Sequence, residues 1–173
     1  MVDVYIGLGS NVGDREGNLR KALELLKKKT RLLKVSSMYE TEPMYLKDQA
    51  WFVNCAAELE TSLTPKELLV CLKDIERRLG RQESVRYGPR SIDMDILFYG
   101  DQVVEESDLK IPHPRIHERR FVLIPLVEIG PDHVHPICGK TVATLLAGLN
   151  SNEHVRRLGQ SPCSVSDSVV LNK

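Results

Sequence analysis

The sequence predicts an α+β fold: a ferredoxin-like antiparallel sheet with helices on one face, plus C-terminal additions. Two observations predict it. Apolar residues alternate at period two in some stretches and recur at helical spacing in others, in the order strand, helix, strand, strand, helix, strand. The chain has 173 residues, 42% of them hydrophobic, enough for one domain with a proper core.

Val4, Ile6 and Leu8 alternate with Tyr5, Gly7 and Gly9, giving a first strand with one apolar and one slim face. A polar turn from Ser10 to Asp14 leads into a helix whose buried stripe is Leu19, Ala22, Leu23 and Leu26, with Lys27, Lys28 and Lys29 suited to its C-terminal dipole. A second strand runs from about Leu32 to Tyr39 and a third from Trp51 to Leu59. In the third, Val53, Cys55, Ala57 and Leu59 point one way, and Phe52, Asn54, Ala56 and Glu58 the other. Thr64-Pro65-Lys66-Glu67 is a capping box with proline at the first helical position. Leu68, Leu72, Ile75 and Leu79 continue that helix and Gly80 ends it.

Ile92 to Tyr99 reads as the next strand, with Ile92, Met94, Ile96 and Phe98 on the core face. The uncovered sheet face is left for a ligand or for later segments. Gly100-Asp101 suggests a turn, and Val103-Val104 a short strand. Phe121 to Ile129 reads as a strand end passing into a helix, Thr141 to Leu149 as a short helix, and His154 to Leu158 as an edge strand. Residues 1–160 are thus expected to form a single domain, and the Ser-rich, aperiodic stretch 161–173 a disordered tail.

Twenty-four Lys and Arg balance twenty-four Asp and Glu. The zero net charge excludes a bulk electrostatic grip on nucleic acid, so any phosphate chemistry must come from clustered charges. No stretch reaches the roughly 18 apolar residues of a bilayer span, and the first residues enter a strand without a leader pattern. A cytoplasmic protein without membrane partners is the expectation. Cys55, Cys71, Cys138 and Cys163 lie far apart with no CxxC pair, and read as reduced, mostly buried small hydrophobes.

Chemistry concentrates at Asp93-Met94-Asp95. Side chains two apart on a strand share a face, so the carboxylates project together with Cα atoms roughly 6–7 Å apart. One or two carboxylates completed by water and phosphate oxygens suit Mg²⁺ at a nucleotide site. Paired acids are also common on solvent-facing strands, so the neighbours decide. Arg86-Tyr87-Gly88-Pro89-Arg90 comes immediately before, and Glu76-Arg77-Arg78-Leu79-Gly80-Arg81 slightly earlier, supplying forked donors for phosphate beside the acids. Ile111-Pro112-His113-Pro114-Arg115 adds a histidine stiffened between prolines, with Arg119 and Phe121 beyond. His117, His133 and His135 lack partners at metal-ligand spacing and read as surface or loop residues. Gly7-x-Gly9 followed by Gly13 has the wrong spacing for a dinucleotide fingerprint.

Gly9-Ser10-Asn11 with Gly13-Asp14-Arg15 and Asn18-Leu19, then Tyr39-Glu40-Thr41 with Pro43, resembles the N-terminal half of the 6-hydroxymethyl-7,8-dihydropterin pyrophosphokinases. Phe52-Val53-Asn54, Gly80-Arg81, Gly88-Pro89-Arg90 with Asp93-x-Asp95-Ile96-Leu97, and Pro112-His113-Pro114-Arg115 with Arg119 and Phe121 continue the resemblance in order. Pro125-Leu126, Glu128-Ile129 and His135-Pro136 extend it to roughly residue 140.

The resemblance implies a single catalytic domain of folate biosynthesis that moves the pyrophosphoryl group of ATP onto a pterin alcohol and releases AMP. It implies that Asp93 and Asp95 bind two Mg²⁺ and that Arg81, Arg90 and His113 contact the ATP phosphates as the rest of the catalytic set. Glu76, Ile96 and Arg119 would help hold the nucleotide. The pterin would lie between Phe52 and Phe121, its amide edge on Asn54 and on backbone near Gly9, Thr41, Pro43 and Met44. The partners implied are these small substrates, with no nucleic acid and no membrane.

Two positions depart from the family pattern: Glu83 replaces a frequent arginine and Tyr87 a frequent tryptophan. The loops around 42–50 and 81–90, polar and bearing Pro or Gly, are expected to close over the substrates. No general base is evident. The rival readings are a two-metal phosphohydrolase using the same aspartates and a ferredoxin-like RNA-binding module; 5% aromatics and no basic excess count against the latter.

Overall fold

The computed structural model describes residues 1–81 and 86–163, so Glu83 and nearly all of the expected tail lie outside the described residues. In chain order the elements are β1 (Val2–Ser10), α1 (Arg15–Leu26), β2 (Arg31–Val35), β3 (Met38–Thr41), β4 (Phe52–Thr61), α2 (Pro65–Arg78), β5 (Asp93–Tyr99), β6 (Val104–Glu105), β7 (Lys110–Ile111), α3 (Arg120–Ile129), α4 (Val142–Ala147) and β8 (Val155–Gly159). The main sheet is antiparallel with strand order β5-β1-β4-β3-β8, and β2 also pairs with β4. This is the ferredoxin-like order, extended at one edge by β8.

Each expected element forms for a local reason. Asp14 caps α1 by accepting the Gly17 N–H at 3.0 Å, and Leu19, Ala22, Leu23 and Leu26 are all buried. At α2 both arms of the capping box are made: Thr64 Oγ1 accepts the Glu67 N–H at 3.3 Å and Glu67 Oε2 accepts the Thr64 N–H at 2.8 Å. Gly80, at φ +80°, takes the left-handed turn that ends this helix. The strand expected from Leu32 to Tyr39 is instead broken in two. At the break the Ser36 N–H donates to the Ala56 carbonyl, and the Ala56 N–H donates to Ser36 Oγ, both at 2.9 Å. A serine hydroxyl here competes with the regular ladder.

The two sheet faces are filled differently. Val4, Ile6, Leu8, Val53, Cys55, Ala57 and Leu59 pack with the buried stripes of α1 and α2. On the opposite face Tyr5, Ala56, Leu97 and Phe98 pack with Leu123, Leu126 and Ile129 of α3 and with Val142 and Leu145 of α4. The C-terminal additions therefore cover one end of that face and leave open the end carrying Gly7, Gly9, Phe52 and Asn54.

Several expectations need correction. Phe98 faces α3, not α1 and α2. The register passes from Tyr5 opposite Phe98 to Ile6 opposite Ile96, so Leu97 is an extra bulged residue that reverses the alternation. Phe121 begins no strand, because α3 already starts at Arg120. His133 and His135 do lie in a loop, but not free at the surface: their rings lie 4.4 Å and 5.6 Å from that of Phe98, and burial lowers both pKa values. Cys55 is buried as expected, but Cys138 is exposed. Among the described residues no helix is long and apolar enough to cross a membrane.

A close approach of backbone to a buried ring lies where α3 ends. A Cβ added to Gly130 would sit 2.7–2.8 Å from the ring and hydroxyl atoms of Tyr5. That ring cannot yield easily, since it is buried edge-on to Phe98 and its hydroxyl donates to Glu58 at 3.1 Å. Gly130→Ala should therefore lower the unfolding free energy by about 1–3 kcal/mol in denaturant titration. An unchanged midpoint would show that α3 packs less tightly on Tyr5 than described.

Candidate active site

A cleft of about 450 Å³ opens at the uncovered end of the sheet. It is lined by Gly9, Thr41, Met44, Phe52, Asn54, Arg81, Arg90, Asp93, Asp95, His113, Arg119 and Phe121 from the sequence-based set. Pro43, Glu76 and Ile96 do not line it: all three are buried, and Ile96 packs in the core beneath α1 and α2.

The slim face of β1 makes the cleft possible. Gly9 lies opposite Asp93 and Gly7 opposite Asp95, so no side chain from β1 fills the space beside either acid. Gly9 also meets β4 closely, since a Cβ there would come 2.5 Å from Asn54 Oδ1. The buried Asn54 carboxamide is oriented by donating from Nδ2 to Thr41 Oγ1 at 2.6 Å. With Phe52 and Phe121 in the lining, this end offers a slot for a flat ring with an amide at its edge.

Acids and bases gather at the other end. Arg81 Nη1 donates to Asp93 Oδ1 at 3.0 Å and lies 2.5 Å from Glu76 Oε2. Glu76 Oε1 accepts the Met94 N–H at 2.8 Å, and Lys73 Nζ lies 3.2 Å from Glu76 Oε2. Glu76 thus works from below, tying α2 to the strand between the two aspartates. Burial, then the negative charge of Asp93, pushes the Asp95 pKa up to about 7; Arg119 and Lys73 only partly offset this. The pair is short of positive charge.

His113 is held neutral. Burial, reinforced by Arg119 and Arg115, lowers its pKa to about 4. Its N–H donates to the Leu97 carbonyl at 3.0 Å, just after the cis Ile111–Pro112 bond. Nδ1 accepts the Arg115 N–H at 3.2 Å, which leaves Nε2–H as the donor for a ligand.

Other residues in and behind the cleft wall were given no role by sequence reasoning. Asn11 is buried and donates from Nδ2 to Gln49 Oε1 and the Ala50 carbonyl, both at 3.0 Å. Its Oδ1 accepts the Arg90 N–H at 2.7 Å, and Gln49 Nε2 donates to the Tyr87 carbonyl at 2.8 Å. Above them the Tyr45 and Tyr87 rings stack at 4.2 Å. Arg115 donates to the Tyr87 hydroxyl at 2.6 Å with its guanidinium 4.7 Å from the Tyr45 ring, and Arg119 Nε donates to the Tyr45 hydroxyl at 3.2 Å. Tyr87 sits at φ +61°, a conformation uncommon outside glycine, and these contacts hold it there. Asn11 belongs to a motif already singled out, but nothing in the sequence pairs Tyr45 with Tyr87.

The Asp95 shift has a stability consequence. Its ordinary value is 3.8, and the folded value lies above that. Below 3.8 both folded and unfolded chains are protonated and nothing is lost; as pH rises toward 7 the unfolded chain ionises first and stability falls. Asp95→Asn should therefore stabilise the ligand-free protein increasingly between about pH 4 and pH 8, by on the order of 2–4 kcal/mol across that range. A difference from wild type that is flat with pH contradicts the assignment.

The sequence profile of the 7,8-dihydro-6-hydroxymethylpterin-pyrophosphokinases matches residues 5–131. The 2-amino-4-hydroxy-6-hydroxymethyldihydropteridine pyrophosphokinase of Aquifex aeolicus is 44% identical over 140 residues, covering 81% of this chain and 88% of that protein. The folic acid synthesis protein fol1 of Pneumocystis carinii is 47% identical over 142 residues, covering 82% of this chain but 19% of that much longer protein. A crystal structure of Plasmodium falciparum HPPK-DHPS shares the fold at a TM-score of 0.69 and 18% identity, covering 84% of this chain and 44% of that one. The chain belongs to the 7,8-dihydro-6-hydroxymethylpterin-pyrophosphokinase family.

Proposed function

We propose that this chain transfers the pyrophosphoryl group of ATP to the hydroxymethyl oxygen of 6-hydroxymethyl-7,8-dihydropterin, a step of folate biosynthesis. One observation carries the reading. The aromatic slot with its oriented amide and the charge-deficient acid pair with its arginines occupy two ends of one cleft. A flat pterin and a triphosphate would meet between them, and the family and the Aquifex aeolicus relative are named for pyrophosphoryl transfer to such a pterin.

In this reading the pterin lies between Phe52 and Phe121 and presents its amide edge to Asn54. Its hydroxyl oxygen forms a bond to the β-phosphorus and gives up its proton to solvent, the bond from that phosphorus to the α-phosphate oxygen breaks, and AMP leaves with the electron pair. Arg81, Arg90 and Arg119 and the Nε2–H of His113 would draw in and align the phosphates, stabilising charge that spreads over their oxygens. Arg81 is held toward the acid pair by Asp93 and Glu76, where it would also meet phosphate.

The acid pair fits Mg²⁺. Among the described residues no group of three or more His, Cys, Asp or Glu could hold a metal, so the other ligands would be phosphate and water oxygens, as Mg²⁺ favours. Asp93 and Asp95 would hold two ions, which would supply charge neutralisation for the phosphates when bound. Opening of the Tyr45–Tyr87 clasp would admit substrates, and its closure would exclude water. The small-molecule substrates and the reduced thiols suit a cytoplasmic setting.

The reading is checked by incubating protein, ATP, Mg²⁺ and hydroxymethyl-dihydropterin and identifying the nucleotide released. AMP that forms only with pterin is the expected product. ADP contradicts the reading, and AMP without pterin indicates hydrolysis. Asp93→Ala and Asp95→Ala should each lower turnover by about 10³-fold or more while the circular-dichroism spectrum stays native. Wild-type rates in both variants remove the acid pair from the mechanism.

A further inference from the structure

Three consecutive residues beyond the family-matched span touch both walls of the aromatic slot. Glu153 Oε1 accepts the Phe121 N–H at 3.0 Å, and Oε2 accepts the Arg120 N–H at 3.1 Å. The His154 N–H donates to Glu42 Oε1 at 3.0 Å, and its carbonyl accepts the Glu42 N–H at 3.3 Å. Val155 then pairs with Thr41 where β8 joins β3.

Helix α3 depends on this help. Arg119 at its N-cap makes no side-chain cap bond, and its first turn holds no acidic residue. The N–H groups of Val122 and Leu123 both reach the Arg119 carbonyl, at 3.1 Å and 3.0 Å. Those of Arg120 and Phe121 are taken up by Glu153, a carboxylate brought from a distant segment to the positive end of the helix. Phe121 lines the slot, and its main chain is one of the two groups so fixed.

We propose that Glu153 is a positioning residue for the pterin slot, setting the Phe121 wall against the Thr41–Glu42 wall through the continuous segment 153–155. This rests on the pterin reading of the cleft. A cap that served stability alone would lower the unfolding temperature and leave ligand preference untouched. A positioning role falls mainly on the ligand held between the walls. Arg81, Asp93, Asp95 and His113 of the phosphate end lie around β5, the end of α2 and the His113 loop, and only Arg119 of that end adjoins the backbone Glu153 caps.

The test compares wild type, Glu153→Gln and Glu153→Ala, measuring the Kd for 6-hydroxymethyl-7,8-dihydropterin with a methylene-bridged ATP analogue present, the Kd for that analogue alone, and kcat. Glu153→Ala should weaken pterin binding by about tenfold or more, with analogue affinity and kcat within about twofold of wild type. Glu153→Gln keeps one acceptor oxygen and should fall between; it decides the question if the alanine variant does not fold. Unchanged pterin affinity overturns the proposal, as does a loss shared equally by pterin and nucleotide. Wild-type protein that binds the analogue but no pterin overturns the slot itself, and with it the role of Glu153.

Discussion

Two carboxylates held side by side on the edge strand β5, with too little positive charge around them, are the constraint on which the site depends. Asp93 has Arg81 within 3.0 Å, whereas among the described residues Asp95 has no ion-pair partner at that range, and burial and the charge of Asp93 push its pKa up. Left empty, such a pair works against folding at neutral pH. Keeping it makes physical sense where bound cations supply the missing positive charge, as the proposed function requires.

Room for that ligand comes from side chains that are absent. Gly7 and Gly9 lie opposite the aspartates, so β1 supports the acids without covering them. The C-terminal helices then cover only part of this sheet face, because the bulge at Leu97 turns Leu97 and Phe98 together toward α3. The sheet is thus sealed by apolar packing at one end and left open as a cleft at the other. Glu76, buried between α2 and β5, links the two levels by holding both Arg81 and the backbone between the aspartates.

The parts legible in sequence were those set by short periodicities. The period-two alternation placed Asp93 with Asp95 and Phe52 with Asn54, and the capping box placed α2, because each depends on residues only a few positions apart. The bulge was not legible, since one extra residue within an apolar run leaves the run equally apolar. The broken strand at Ser36 escaped for a similar reason: its cause is a hydroxyl meeting the backbone of another strand. The clasp of Tyr45, Tyr87, Arg115 and Arg119, and the capping of α3 by Glu153, join residues far apart in the chain. No local pattern encodes such pairs. The family resemblance supplied roles for matched positions but gave none to Asn11, Gln49 or Tyr45, which hold the loops together.

The most direct measurement of the central claim is a crystal structure grown with Mn²⁺ in place of Mg²⁺, a methylene-bridged ATP analogue and the pterin substrate, with the ions located by anomalous scattering. The account predicts manganese peaks on the carboxylates of Asp93 and Asp95, the phosphate chain against Arg81 and Arg90, and the pterin between Phe52 and Phe121. Nucleotide bound with its manganese away from both aspartates contradicts it.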